Sequence, residues 1–236
     1  MLVTVLTIFP EMFPGALAYS LLGKALGKLW DLRVVNIRDF AQDRHNSVDD
    51  TPYGGGAGMV MKPDVVDGAL KYALSLYNRA PEILYMTPRG KLFKHKIARQ
   101  IANNTSGIII LCGRYEGIDQ RVIEHWKKTH NMKEISIGDY VVFGGEIPAM
   151  IVIEACLRFY PGIMNNENSV LDESFANGLL EYPQYTHPAV WNNVAVPDVL
   201  LSGNHRDIDA WRLEQAKQIT KSIRPDLWEK ISSDDL

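Results

Sequence analysis

Ser136-Ile137-Gly138-Asp139-Tyr140-Val141-Val142-Phe143-Gly144-Gly145-Glu146-Ile147-Pro148 is the stretch on which the reading of this chain turns. It has the form of a strand end, a tight glycine turn, a short apolar segment and a second glycine turn leading into a helix. Three glycines in eight residues, Gly138, Gly144 and Gly145, let the backbone bend sharply and approach a ligand closely. Pro148 falls in the first turn of the helix, where its missing N–H costs little. Alone, such a stretch is an ordinary strand–turn–helix joint. Two other loops share its style, however. Thr87-Pro88-Arg89-Gly90 follows the strand Ile83-Leu84-Tyr85-Met86, and Gly113-Arg114-Tyr115-Glu116-Gly117 follows the strand Ile108-Ile109-Ile110-Leu111-Cys112. Three glycine-bearing loops, each after a strand, predict a site at one edge of a sheet, beyond the carboxyl ends of its strands.

Outward from that stretch the pattern alternates. Leu2–Phe9 and Leu32–Ile37 read as strands, and Leu21–Trp30 has helical spacing. Asp64 is placed to cap a helix running to about Asn78. A basic helix near Lys94–Asn103, a helix near Asp119–Lys128 and a strand near Glu134–Ile137 complete the series. Alternating strands and helices through Phe159 predict an α/β domain with a mostly parallel sheet. The helix Glu146–Phe159 is apolar nearly all round, so it is buried against the core or against a partner chain. Pro161-Gly162 stops it. From Pro197 the pattern is helical again, through Asp209–Ser222 and Pro225–Lys230, with Ser202-Gly203-Asn204-His205 as a turn. The chain thus divides into an α/β domain over 1–160, a lid or linker over 161–188 and a small helical domain over 189–236.

Composition bounds the function. At 236 residues and 46% hydrophobic, the chain has enough apolar material for a packed core in one or two domains. The formal net charge of −3 counts against a bulk nucleic-acid binder. From Arg89 to Lys128, however, nine Lys/Arg stand against three acids, a local basic surface suited to phosphates. Cys112 and Cys156 have neither metal-ligand spacing nor a disulfide pattern, and both sit in apolar surroundings. No signal peptide or membrane span is evident, so a cytoplasmic protein is expected. Pro52-Tyr53-Gly54-Gly55-Gly56-Ala57-Gly58-Met59 suggests a phosphate loop, but it lacks the Gly-Lys-Ser/Thr ending and the dinucleotide fingerprint. It reads as a flexible loop that shapes a site.

Several of these segments, in this order over nearly the whole chain, carry a resemblance. They are Pro52–Gly56 with Gly58-Met59, Tyr85-Met86-Thr87-Pro88, Leu111–Asp119, the stretch Ser136–Pro148, Arg158-Phe159 with Pro161-Gly162, and Ser174-Phe175. Gly178–Pro183 with Tyr185-Thr186, and Leu200–His205 with Trp211-Arg212, complete the set. The chain resembles the bacterial tRNA (guanine-N1)-methyltransferases of the trefoil-knot SPOUT class. That resemblance implies a deep knot, against the general rule, and an obligate homodimer with active sites shared between subunits. It implies S-adenosylmethionine as methyl donor, held in a bent shape by the knot loops. The residues so implied are Tyr85, Met86, Thr87 and Pro88; Gly113, Tyr115, Glu116 and Gly117; Ser136, Ile137, Gly138, Asp139, Tyr140, Val141 and Val142; and Gly144, Gly145 and Pro148. The implied substrate is the anticodon stem-loop of tRNA, gripped by the helical domain. No membrane partner is implied.

The implied reaction is methyl transfer to N1 of the guanosine at tRNA position 37. Neutral guanine carries a proton on N1, so a base must remove it; positioned general bases are worth roughly 10²–10⁴-fold. The negative charge that spreads onto O6 calls for a guanidinium. The resemblance places the arginine at Arg158 and the base at Glu173, in Asp172-Glu173-Ser174-Phe175. Well-known members carry aspartate there, so Asp172 remains the alternative base. Catalytic Mg2+ is also implied, with no recognisable ligand set; Asp49, Asp50 and Asp139 read as surface or turn acids. Two other functions stay open on the sequence: a knotted methyltransferase acting on another nucleoside or a ribose, and a non-enzymatic RNA-binding protein.

Overall fold

The computed structural model describes residues 1–103, 106–164 and 173–234. The chain forms two compact units, Met1–Asn165 and Asn166–Leu236. Its strands are β1 (Leu2–Thr7), β2 (Asp31–Asn36), β3 (Asp49–Asp50), β4 (Val60–Met61), β5 (Glu82–Leu92), β6 (Ile108–Cys112), β7 (Lys133–Ser136), β8 (Val190–Trp191) and β9 (Val194–Ala195). Its helices are α1 (Ser20–Ala25), α2 (Pro63–Ser75), α3 (His95–Ala102), α4 (Gln120–His130), α5 (Glu146–Leu157), α6 (Asp198–Leu201), α7 (His205–Ile223) and α8 (Pro225–Asp234).

The first unit is built on a five-stranded sheet in the order β2-β1-β6-β5-β7. Every neighbouring pair in it is parallel. All five residues of β6 are buried, as a parallel strand covered on both faces must be. Alternation along it feeds two cores. Ile108, Ile110 and Cys112 face one with Val152, Ile153, Cys156 and Leu157 of α5. Ile109 and Leu111 face the other, with α2 and α4 residues such as Val66, Leu70, Ile123 and Trp126. The fold is the expected α/β class with a parallel sheet.

Local differences have identifiable causes. The helical pattern Leu21–Trp30 ends at Ala25, because Leu26 is extended and Gly27 takes a left-handed φ of +75°. Trp30 then turns inward, fully buried, and its indole N–H donates to the Leu22 carbonyl at 2.9 Å. Asp64 does not cap α2; Lys62 occupies the cap position without a side-chain bond and Pro63 starts the helix. Asp64 instead stands in the first turn, where an acid suits the helix dipole. Thr87–Gly90 is not a loop after a finished strand. β5 runs on to Leu92, with its register against β7 shifted between Met86 and Lys91 so that both pair with Ile135. The bulge lets one strand pair twice while its middle turns away from the sheet.

The second unit contains α6, α7, α8 and, ahead of them, the antiparallel pair β8–β9, which the helical pattern did not indicate. Asn192 and Asn193 make its two-residue turn with φ of +50° and +61°, the arrangement that suits a hairpin.

The central strand carries the first prediction. Ile110→Ala removes a fully buried side chain from the middle of the sheet. A loss of about 2–5 kcal/mol is expected, measurable as a lower urea midpoint with an unchanged m-value.

Candidate functional site

The carboxyl ends of β5, β6 and β7 open onto one cavity of about 910 Å³ in the first unit. Its walls include Tyr85, Met86, Thr87 and Pro88 from the bulge of β5, and Gly113, Tyr115, Glu116 and Gly117 from the loop after β6. They also include Ser136, Ile137, Gly138, Tyr140, Val141, Val142, Gly144, Gly145 and Pro148 from the segment between β7 and α5. Asp139 is exposed and does not line it. The same cavity is walled by Asp50–Tyr53, Val60–Pro63, Arg89, Arg114, Asp119–Arg121 and Phe143, which the sequence reading did not assign to a ligand. Gly54–Gly58 themselves are not among its walls; the residues that flank them are.

A buried charge holds the loops in place. Glu146 opens α5 and is fully buried. Its Oε1 accepts from the Thr7 hydroxyl at 2.7 Å, and its Oε2 accepts from Arg114 Nε at 2.9 Å. The Thr7 hydroxyl in turn accepts from the Phe9 amide at 2.9 Å. The Arg114 guanidinium lies 4.4 Å over the Phe9 ring, a cation–π contact. This ties the end of β1, the loop after β6 and the start of α5 to one carboxylate, which also sits favourably at a helix N-terminus. Thr7, Arg114 and Glu146 were not singled out from sequence. The available signal was an acid directly after two glycines at the head of an otherwise apolar helix.

The glycines make the closure possible. A Cβ on Gly145 would lie 2.6 Å from the Cys112 Cα, and the Gly145 amide donates to the Gly113 carbonyl at 2.9 Å. Gly117 has a φ of +119°, a conformation that side chains rarely adopt. Its carbonyl accepts from the Met61 amide at 2.9 Å, and the Glu116 amide donates to Met59 at 3.0 Å. The segment after Gly58 is thereby stitched to the loop after β6. In the third loop the Ser136 hydroxyl donates to the Gly138 carbonyl at 3.1 Å, and the Tyr140 hydroxyl donates to the Ile137 carbonyl at 3.2 Å.

The site's chemistry is that of binding by shape and backbone polar groups. Cys112 is fully buried beneath the cavity, and burial, reinforced by the nearby Glu146 charge, pushes its thiol well above the ordinary range. It stays protonated and is no nucleophile. Burial likewise raises the Tyr85 phenol. Asp119 is held below its usual value chiefly by the bond from Arg121, whose Nε and Nη2 donate to it at 2.9 and 2.8 Å. A cradle of glycines and backbone groups, lined also by charged residues of both signs such as Asp50, Lys62, Arg89, Glu116 and Arg121, suits a nucleoside-containing ligand of cofactor size. Among the described residues, no three His, Cys, Asp or Glu side chains lie close enough together to hold a metal ion. The described residues thus offer no ready-made protein cage for Mg2+.

Arg158 and Glu173 are not in the cavity wall. Arg158 is the exposed C-cap of α5, at the opposite end from Gly145 and Pro148. Twelve residues of helix span about 18 Å. Glu173 is half-buried in the second unit, where its carbonyl accepts from Ala176 at 3.1 Å. Asp172 lies outside the described residues. No described helix is long and apolar enough to cross a membrane.

Comparison with known proteins places these features. Residues 1–230 match the family described as tRNA (Guanine-1)-methyltransferase TrmD. A protein of Wolbachia pipientis subsp. Culex pipiens named tRNA (guanine-N(1)-)-methyltransferase is 54% identical over 228 residues, 95% of this chain and 96% of its own. Proteins of the same name from Ehrlichia canis and Brucella ovis are 51% and 55% identical, covering 98% and 96% of this chain and 97% and 90% of theirs.

The buried pair yields a prediction. Arg114→Met leaves the Glu146 carboxylate in the core with only Thr7 as partner. The expected cost is about 3–5 kcal/mol, and a double-mutant cycle with Glu146→Gln should show strong coupling between the two positions in urea unfolding.

Proposed function

The chain belongs to the tRNA (guanine-1)-methyltransferase family, and from that premise we propose that it methylates N1 of a guanosine in tRNA. The observation that carries this reading is the single cavity formed by three glycine-bearing loops at the carboxyl edge of a parallel sheet. We assign S-adenosylmethionine to that cavity, among the backbone groups of Met86–Pro88, Gly113–Gly117 and Ile137–Val142. When bound it supplies an electrophilic methyl group. At a finer level we place the target at position 37, beside the anticodon, and read the path through the loops after β5, β6 and β7 as a trefoil knot. The closure of Gly145 against Gly113 supports a tightly threaded chain.

The chain's own residues must manage one proton and one developing charge. Glu173 takes the N1 proton as general base, with Asp172 the alternative. Arg158 stabilises the charge on O6 with paired donors. The geometry supports a division of labour between two copies. Arg158 stands about 18 Å along α5 from the cavity end of that helix, too far for its side chain to serve the cavity it is attached to. The apolar surface of Val141, Phe143, Ile147 and Ile151, 84%, 98%, 51% and 43% exposed, offers the seam for a homodimer. One copy then supplies the methyl-donor cavity and the other Arg158. The domain of about residues 189–236 holds the anticodon arm, and 161–188, of which 165–172 lie outside the described residues, serves as the linker or lid. Two buried free cysteines and an RNA substrate suit a reducing, cytoplasmic setting.

The reading is tested by transfer of labelled methyl from S-adenosylmethionine to an unmodified transcript with guanosine at position 37. A matched adenosine transcript is the control. Label on N1 of that guanosine alone is expected. Glu173→Gln should lower kcat by roughly 10²–10⁴-fold with cofactor affinity unchanged; an enzyme acting on a ribose hydroxyl would be indifferent to it.

Sharing of the site predicts complementation. Arg158→Ala and Gly113→Val should each be inactive alone. After subunit exchange in a mixture, about a quarter of wild-type activity should return, because half the dimers are mixed and each holds one intact site. No recovery after verified exchange would put the cavity and Arg158 of each site in one chain.

A further inference from the structure

The second unit contains a smaller cavity, of about 300 Å³, whose walls are unusually aromatic. Tyr182, Tyr185, His187, Trp211 and Arg212 line it, and Ala189 and Val196, at the foot of the β8–β9 hairpin, close one side. The Ala189 carbonyl accepts from the Val196 amide at 2.9 Å, which holds that foot shut. Tyr185 and Trp211 meet with ring centroids 6.2 Å apart at 57°, forming a corner rather than a parallel stack. Tyr185 is 47% exposed, so one face of the corner is open. The Arg212 guanidinium lies 4.9 Å over the Tyr182 ring. Its Nε is buried and has no hydrogen-bond partner among the described residues. Its ion pair with Asp209 is long, at 3.7 Å, and Asp209 is 72% exposed, so that pair contributes little.

Charge narrows what such a cavity is for. From Trp191 to the end, six Lys/Arg stand against eight Asp/Glu. Of the six, Arg224 is committed to Asp226 through bonds of 2.7 and 2.8 Å. A surface of that balance cannot hold a polyanion by bulk attraction. Affinity for RNA has to be concentrated in a few contacts that include apolar ones. Aromatic rings that receive an unstacked base, beside a guanidinium, are the contacts that do this without a positive field.

We propose that this cavity receives one unstacked nucleobase of the RNA substrate, stacked on Tyr185, with Arg212 donating to its edge or to the adjoining phosphate. The inference rests on the reading of the chain as a tRNA methyltransferase and adds to it a base-binding pocket remote in sequence from the methyl-donor loops. The cavity's size admits one base and no helix. The contact therefore selects RNA in which a nucleotide can leave its stack, and discriminates against fully paired stems.

The test uses the full-length protein and an unmodified tRNA transcript. Tyr185→Ala is expected to weaken tRNA binding about 10- to 100-fold, the range of base–aromatic stacking, with S-adenosylmethionine affinity unchanged and Tyr185→Phe close to wild type. Arg212→Met should lower the slope of log affinity against log salt by about one. A second arm needs no variant to fold well. Transcripts with single abasic nucleotides across the anticodon loop and its flanks are titrated against the wild type and Tyr185→Phe. One position should show a loss of the same order in both. Tyr185→Ala, where folded, should be insensitive at that position alone. Wild-type affinity in Tyr185→Ala and Arg212→Met, or equal sensitivity to every abasic position, would overturn the proposal. So would a change in oligomeric state with tRNA binding intact, which would make the cavity a protein-packing site. If the wild type methylates no tRNA, the premise itself falls and this inference with it.

Discussion

A carboxylate taken fully out of water is tolerable only when it is paired and hydrogen-bonded, and Glu146 meets that condition through Thr7 and Arg114. Those three residues come from the end of β1, the loop after β6 and the first turn of α5. None is near another in sequence. If any of the three segments moves, the charge loses a partner, so the network sets their mutual positions more strictly than apolar packing alone. Gly144 and Gly145 follow from it. The backbone entering α5 runs against Arg114 and Cys112, and there is no room for a side chain at either glycine. The loop that forms one wall of the large cavity is therefore held by electrostatics on one side and by steric closeness on the other.

The cavity takes its character from that closeness. Loops whose glycines bring main chain to the surface of the site present amide and carbonyl groups, which recognise a ligand by the direction of its polar edges. This is the kind of recognition that suits a cofactor whose reactive part must be left uncovered. Some of the side chains around it bind one another, as Arg121 does Asp119 and Arg89 does Gln120. α5 sets its two ends a helix length apart: its N-terminal end lines the cavity and its C-terminal end carries Arg158, while Ile147 and Ile151 along it remain exposed. One face of this helix, apolar on every side, meets the core through Val152, Ile153, Cys156 and Leu157.

The second unit follows a different economy. It is small and acidic, and three of its aromatic residues, Tyr182, Tyr185 and Trp211, line one cavity together with Arg212, which lies over the Tyr182 ring. With more acids than bases in it, any RNA contact it makes would depend on where each ring and each guanidinium stands rather than on how many there are. The foot of the β8–β9 hairpin contributes to this: Ala189 and Val196 close one wall of the small cavity, joined by the bond from the Val196 amide to the Ala189 carbonyl.

Element types were largely legible in the sequence, because a local pattern encodes them. The buried run Ile108–Cys112 read as a strand with the bounds it has, and the glycine turn at Gly144-Gly145 with Pro148 marked the start of α5. The ordered motifs were enough to mark the family and the three loops that meet in one cavity. Where neighbours compete with local pattern, the reading fell short. Leu21–Trp30 has helical spacing, yet Trp30 is drawn into the core and ends the helix early. Thr87–Gly90 reads as a loop, yet the strand resumes beyond it because β7 offers a second pairing. The sequence by itself determined the α/β class, the glycine loops and the membership of the family. Only the tertiary structure decided that Glu146 answers to Thr7, 139 residues away, and that Arg158 stands a helix length from the cavity. Both are facts of distance between segments, and no local pattern of residues carries them.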